Sequence, residues 1–197
     1  MSSAVAAPIL LASTSPQRRA ILEQLGLPFE VVAPSYVEQD PAGASPVELV
    51  RTHAAGKAHS VAAGAGDRPV LGVDTAVVLD GRTYGKPADA EDAAEMLEAL
   101  GGRVHEVVSG LCLVTPGWEE VEHEVTRVSF RALTPRDIAA YVGTGEWKGR
   151  AGSYAIQGRG AALVERIEGD YLNVVGLPAA LLVRLLATRF AGTYNFG

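Results

Sequence analysis

The chain has 197 residues, 48% of them hydrophobic, with one cysteine and a formal net charge of −6. That length and apolar content favour one domain over residues 1–197, of one or two lobes, with no linker, repeat or low-complexity segment to divide it. The acidic balance argues against a general nucleic-acid binder, because counterion release needs a basic surface, and a single cysteine excludes an intrachain disulfide, which suits a reducing cytoplasm.

Residues 1–12 are small and apolar but carry no basic n-region, so they are read as structure and not as a signal peptide. Within them Ile9-Leu10-Leu11-Ala12 is a short buried strand ending at Ser13. Ser15 then caps a helix with Pro16 in its first position, Ile21, Leu22 and Leu25 on one stripe, Gly26 as its stop and Pro28 preventing continuation. Its free N–H groups, its dipole and the nearby Arg18 and Arg19 make either an anion cradle or an ordinary capped helix with solvated arginines. Phe29 to Val32 is a second strand, and Pro46 to about Val61 a helix with Val47, Val50 and Ala54 on one side.

Val70 to Val73 is a buried strand that Ala76 to Leu79 continues toward an Asp80-Gly81 turn, after which Tyr84 and Lys86 return. Asp89 caps a helix running to Leu100, closed by Gly101-Gly102. Val104 to Val114 and Trp118 to Ala132 form an antiparallel pair joined through Thr115-Pro116-Gly117. Thr134 caps a further helix, with Asp137 at its third position and its end near Gly143. The glycine-rich segment from Gly143 to Gly160 reads as a mobile rim, followed by a strand pair at Ala161 to Ile167 and Tyr171 to Val175 and a last helix after Pro178. Leu177 to Leu186 is too short, and interrupted by Pro178 and Arg184, to span a bilayer. The order predicts a mixed α/β fold with parallel and antiparallel pairings.

Several charged residues stand where chemistry is done, each with a plainer reading beside it. Asp74 follows the strand at Val70 to Val73, where a carboxylate either holds a divalent metal, accepts a proton from water, or only bonds its own turn. Lys86 in Gly85-Lys86-Pro87 either returns toward that strand's mouth or is solvated. Glu38 in a loop and Lys57 on a helix are ordinary surface types taken alone. Gln157 lies in a glycine-flanked stretch that lets backbone approach a ligand, so its amide can read a base edge or a sugar. Cys112 reads as a buried, inert thiol, and the four histidines show no ligand-like spacing.

Ser13-x-Ser15-Pro16-x-Arg18, Gly72-x-Asp74-Thr75, Gly85-Lys86-Pro87, Ala151-Gly152-x-Tyr154-x-Ile156-Gln157-Gly158 and Val174-Val175-Gly176-Leu177-Pro178 stand in this order over nearly the whole chain. In order and spacing they resemble the motifs of the Maf family. The resemblance implies an inosine-triphosphatase-like α/β fold, a mixed twisted sheet flanked by helices, with a central cleft between two lobes. It implies a nucleoside triphosphate pyrophosphatase that yields the monophosphate and pyrophosphate. It matches Asp74 to the family's proton acceptor and Glu38 to an acidic residue of the cleft. Ser13, Ser15, Arg18, Lys57 and Lys86 match its phosphate-side residues, and Gln17, Thr75 and Gln157 match positions tied to substrate choice.

Thr75 with Gln157 is similar to the branch acting on dTTP and UTP, whereas Ser-Thr-Ser-Pro-x-Arg-Arg is closer to the branch acting on 7-methyl-GTP. Gln17 stands for the usual arginine, Arg150 for a common lysine and Gly56 for a frequent glutamate, which leaves the nucleobase open but not the reaction. The expected cofactor is Mg2+ or Mn2+ held by Glu38 and Asp74, hard oxygen donors, with Lys86 and the helix N-terminus stabilising the leaving pyrophosphate. A homodimer and a link to septum formation are further implications of the resemblance. The competing readings are a phosphatase releasing orthophosphate and a nucleotide sensor without turnover.

Overall fold

Ile9–Ala12 (β1) is completely buried and pairs in parallel with Phe29–Val32 (β2) on one side and Val70–Leu79 (β3) on the other. In the computed structural model, which describes residues 6–41 and 43–194, these strands belong to a seven-stranded mixed sheet. Beyond β3 all pairing is antiparallel. The hairpin partner Arg82–Tyr84 (β4) lies on one edge of β3, and on the other follow Val104–Thr115 (β5), Trp118–Phe130 (β6) and Val164–Glu168 (β7). Part of the segment read as lacking a leader, residues 1–5, lies outside the described residues. No helix among the described residues is long and apolar enough to cross a membrane.

The helices form where the local chemistry asks for them. Ser15, Ser45, Asp89 and Thr134 cap Pro16–Gln24 (α1), Pro46–Ala62 (α2), Ala90–Leu100 (α3) and Pro135–Val142 (α4) by accepting from backbone N–H groups, and proline occupies the first turn of α1, α2 and α4. The alternation of β3 divides the core. Leu71 and Val73 pack with α1 and Ala179–Arg189 (α6), while Val70, two residues before Gly72 and four before Asp74, packs with Ala54 and Ala58 of α2. Asp74 therefore faces α2, and Thr75 faces the opposite side.

Asp74 is not at the end of its strand. β3 continues through it to Leu79, held by β5 from Val70 to Val78. The opening arises because β1 stops instead: it follows β3 only to Gly72, and β4 joins the same edge from Val77, so residues 73–76 have no strand beside them there. The edge of β3 is therefore free of a strand at that gap, where Asp74 and Thr75 stand on opposite faces.

Two segments differ from the sequence reading. Tyr171–Val175 is a short helix (α5) and not a strand: Asp170 caps it, its Oδ1 accepting from Leu172 N at 2.8 Å and its Oδ2 from Ala180 N at 3.2 Å, so one carboxylate joins α5 to α6. A five-residue run with two valines satisfies either template, and the cap decides it. Ala161–Leu163 likewise belongs to a 3-10 turn, and β7 begins only at Val164. Within residues 143–160, Trp147, Tyr154 and Ile156 are buried among side chains of α3, α4 and β5, while Lys148, Gly149 and Gln157 to Arg159 are exposed. Trp147 donates its indole N–H to Val142 O at 2.9 Å, and Gly152 N donates to Gly85 O at 3.1 Å.

His105 of β5 is 1% exposed, against the rings of Phe130 and Tyr154, with Nε2 2.9 Å from the Tyr154 hydroxyl. Burial pushes its pKa down from 6.5 to about 4. The folded state thus binds fewer protons than the unfolded chain between these values, and the stability present above pH 6.5 is lost as pH falls toward 4. The loss should approach roughly 3 kcal/mol at about 1.4 kcal/mol per pH unit. Urea midpoints from pH 7 to 4 should show this slope in the wild type and a shallower one in His105→Gln.

Candidate active site

The turn between β1 and α1 is organised by its own hydroxyls. Ser13 Oγ accepts from Ser15 N at 3.2 Å, Ser15 Oγ accepts from Arg18 N at 3.5 Å and donates to Gln17 Oε1 at 3.1 Å. Arg18 is held by three partners. Its Nε donates to Gly176 O at 2.9 Å, Nη1 to Ser13 Oγ at 3.2 Å and Nη2 to Thr75 Oγ1 at 3.3 Å, so it braces three segments against one another. Desolvation lowers its pKa, opposed by the charges of Asp74 and Glu38. Arg19 does not add charge to the cradle: it points outward and pairs with Glu23 at 2.8 Å, both exposed.

Two glycines seat α2 on the sheet. A Cβ at Gly72 would lie 2.1 Å from Ala54 O, and one at Gly110, the register partner of Asp74, would lie 2.1 Å from Val50 O. The helix backbone can approach only because both side chains are absent. Lys57 of α2 thereby reaches Asp74, with Nζ 2.5 Å from Oδ1, and the loop after β2 brings Glu38 Oε1 to 2.6 Å from the same ammonium. Half-burial works to raise the pKa of Glu38, but the hydrogen bond and charge of Lys57, with smaller contributions from His53 and Lys86, hold it below the usual range. Two carboxylates from separate elements thus converge on one cation.

Above this junction opens a cleft of about 710 Å³, within the size range of small-ligand sites. Ser13, Ser15, Gln17, Arg18, Glu38, Lys57, Thr75, Lys86 and Gln157 all line it, so residues spread over 145 positions of the chain share one hollow. Asp74 meets the cleft through Lys57 and not as part of its wall. Arg150 and Tyr154 also line it, with Val107, Ile156 and Val174 supplying apolar surface.

Residues 8–189 match the family model described as Maf-like protein. The chain belongs to the Maf family. The dTTP/UTP pyrophosphatase of Nitratidesulfovibrio vulgaris is 50% identical to it over 186 residues, covering 93% of this chain and 89% of that one. That of Pelotomaculum thermopropionicum is 48% identical over 180 residues, covering 90% and 94%. That of Deinococcus radiodurans is 43% identical over 197 residues, covering both chains completely.

In this Maf chain the structure adds residues that the sequence did not single out. Glu146 lines the cleft and accepts from Arg159 N at 3.1 Å and Gly160 N at 3.3 Å, holding the loop that carries Gln157. Tyr36 also lines it, its ring lying over Gly56, where a Cβ would come within 2.3 Å of the ring, and its hydroxyl 3.0 Å from His53 Nδ1. His53 Nε2 is 2.8 Å from Asp40 Oδ1. Gly56 therefore makes room for an aromatic two residues from Glu38. Tyr36→Phe should cost about 1 kcal/mol of stability, the net worth of one hydrogen bond. Gly56→Ala should cost more, because its Cβ would meet the Tyr36 ring, as thermal melts would show.

Proposed function

We propose that this chain hydrolyses nucleoside triphosphates at the α–β phosphoanhydride, dTTP and UTP in the first place, releasing the nucleoside monophosphate and pyrophosphate. The observation that carries the reading is the convergence of Glu38, Lys57 and Asp74 at the foot of a cleft whose rim bears Lys86 and Arg150. The relatives' names support the substrates, as does Thr75 with Gln157 in the wall. Modified nucleotides remain within the same reading. The residues act as one unit over 1–197.

A divalent cation, Mg2+ or Mn2+, fits the donor set, because the Lys57 ammonium already sits between two carboxylate oxygens of separate elements. Glu38 and Asp74 would hold it, and it would supply charge neutralisation for the triphosphate. Asp74 takes the proton of the attacking water as general base. Lys57 sits against Asp74 and Glu38, and its ammonium would neutralise charge on the phosphate chain were those carboxylates to hold a cation. Lys86, with the N–H groups at the start of α1, meets the charge that builds on the departing pyrophosphate. Ser13 and Ser15 shape the cradle, and Arg18 keeps it in register with Thr75 and Gly176. Gln17, Thr75 and Gln157 contact the nucleoside side. The working context is the cytoplasm, as a homodimer.

The test is turnover over canonical and modified nucleoside triphosphates with Mg2+ or Mn2+, assaying pyrophosphate and orthophosphate separately without added pyrophosphatase. Pyrophosphate released in step with dTMP or UMP is the expected result. Orthophosphate as first product would make the chain a phosphatase, and tight binding without product would make it a sensor.

A further inference from the structure

We propose that His59, Cys112 and Glu119 form a second metal site, for one borderline transition-metal ion of the Zn2+ class, on the α2 face of the sheet and apart from the cleft. Each residue offers one donor atom, and these atoms lie within 4.8 Å of one another. His59 Nε2 is 2.8 Å from Glu119 Oε2. The donors come from three elements already packed together. Cys112 of β5 lies opposite Val121, Glu119 lies opposite Val114 on the same face, and His59 follows Ala58, which packs in the same cluster as Cys112. None of the three lines the cleft.

The donor set selects the ion. One sulfur, one imidazole nitrogen and one carboxylate oxygen, with a fourth position open to water, is the tetrahedral pattern of Zn2+ and an unsuitable set for Mg2+ or Ca2+, which take oxygen. The arrangement also gives a way in. Cys112 is fully buried, while the side chains of His59 and Glu119 above it are 53% and 39% exposed, so an ion can be captured at the surface pair and reach the thiol beneath.

Binding displaces the thiol proton and any proton on His59, and the His59–Glu119 contact is exchanged for two metal bonds, with no change of oxidation state. Burial, and then the charge of Glu119, push the Cys112 thiol up to about 12, so without the ion it is protonated and quiet. The bound ion would tie α2, the helix of Lys57, to β5 and β6, and so stabilise the fold by mass action.

Co2+ serves as the probe. The reduced full-length protein, with Mg2+ in excess over oxygen-donor sites, should develop a thiolate-to-cobalt charge-transfer band that saturates at one equivalent and that Zn2+ abolishes. Zn2+ should also raise the Tm. Cys112→Ser should lose the band. His59→Ala, outside the cleft and on the surface, should keep Mg2+-dependent turnover. Its Zn2+ affinity should fall by about 100-fold or more, beyond the ~10–100-fold that follows loss of a mere outer-shell partner. Absence of a sulfur-to-metal band in folded, reduced wild type would overturn the proposal, as would unchanged Zn2+ affinity in His59→Ala.

Discussion

Asp74→Asn should lower kcat for pyrophosphate release by roughly a hundred- to ten-thousand-fold, the scale of losing a positioned general base, with much less change in KM. The substitution keeps the shape of the side chain and removes only its charge and basicity. Lys57 retains Glu38 at 2.6 Å as its partner, so the ammonium is not left without an anion. β3 is held at this point by its ladder to β5 and not by the carboxylate. The Tm should therefore move by only a few degrees. Single-turnover measurements at saturating dTTP and Mg2+ would separate the chemical step from binding, and an unchanged rate would remove Asp74 from the chemistry.

Gly110→Ala should be among the most damaging small substitutions outside the cleft wall. The added Cβ would stand 2.1 Å from Val50 O, 2.4 Å from Val50 C and 2.7 Å from Arg51 N, all backbone atoms that cannot rotate aside. The helix must lift from the sheet, at the upper end of the roughly 1–3 kcal/mol typical of overpacking. At about 2–4 °C per kcal/mol for a domain of this size, the melting temperature should fall by roughly 6–12 °C. Turnover should fall further than the loss of folded protein explains, because Lys57 travels with α2 away from Asp74. Gly64→Ala is the control, since its Cβ would meet only Val61 O at 3.9 Å. A wild-type Tm in Gly110→Ala would show that α2 is free to shift and that the glycine does not position Lys57.

Much of the fold is legible because its signals are local. Asp89 before an amphipathic run, Thr134-Pro135 with Asp137, and Asp80-Gly81 at a hairpin, both with positive φ in the structure, act through neighbours a few residues away. Tyr171–Val175 was harder to read although its cap, Asp170, is local, because the run itself carries no period long enough to choose. The site divides in the same way. Motif spacing named Ser13, Asp74, Lys86 and Gln157, but it could not show that Arg18 uses its donors on Gly176 and Thr75, which are 158 and 57 positions away. Nor could it connect Gly56 to Tyr36, because a missing side chain has meaning only beside whatever fills its place.

By itself the sequence determined most of the inventory: nearly all the strands and capped helices, which side chains can carry charge or protons, and the family to which they belong. These follow from covalent neighbours and from the type of each residue. The tertiary structure alone decided that β1 ends short of Asp74, that a strand-free gap is left on that edge of β3 before β4, and that α2 sits close enough for one lysine to bridge two carboxylates. Those relations depend on how far apart two backbones can pack, which is set by contacts between residues remote in the chain.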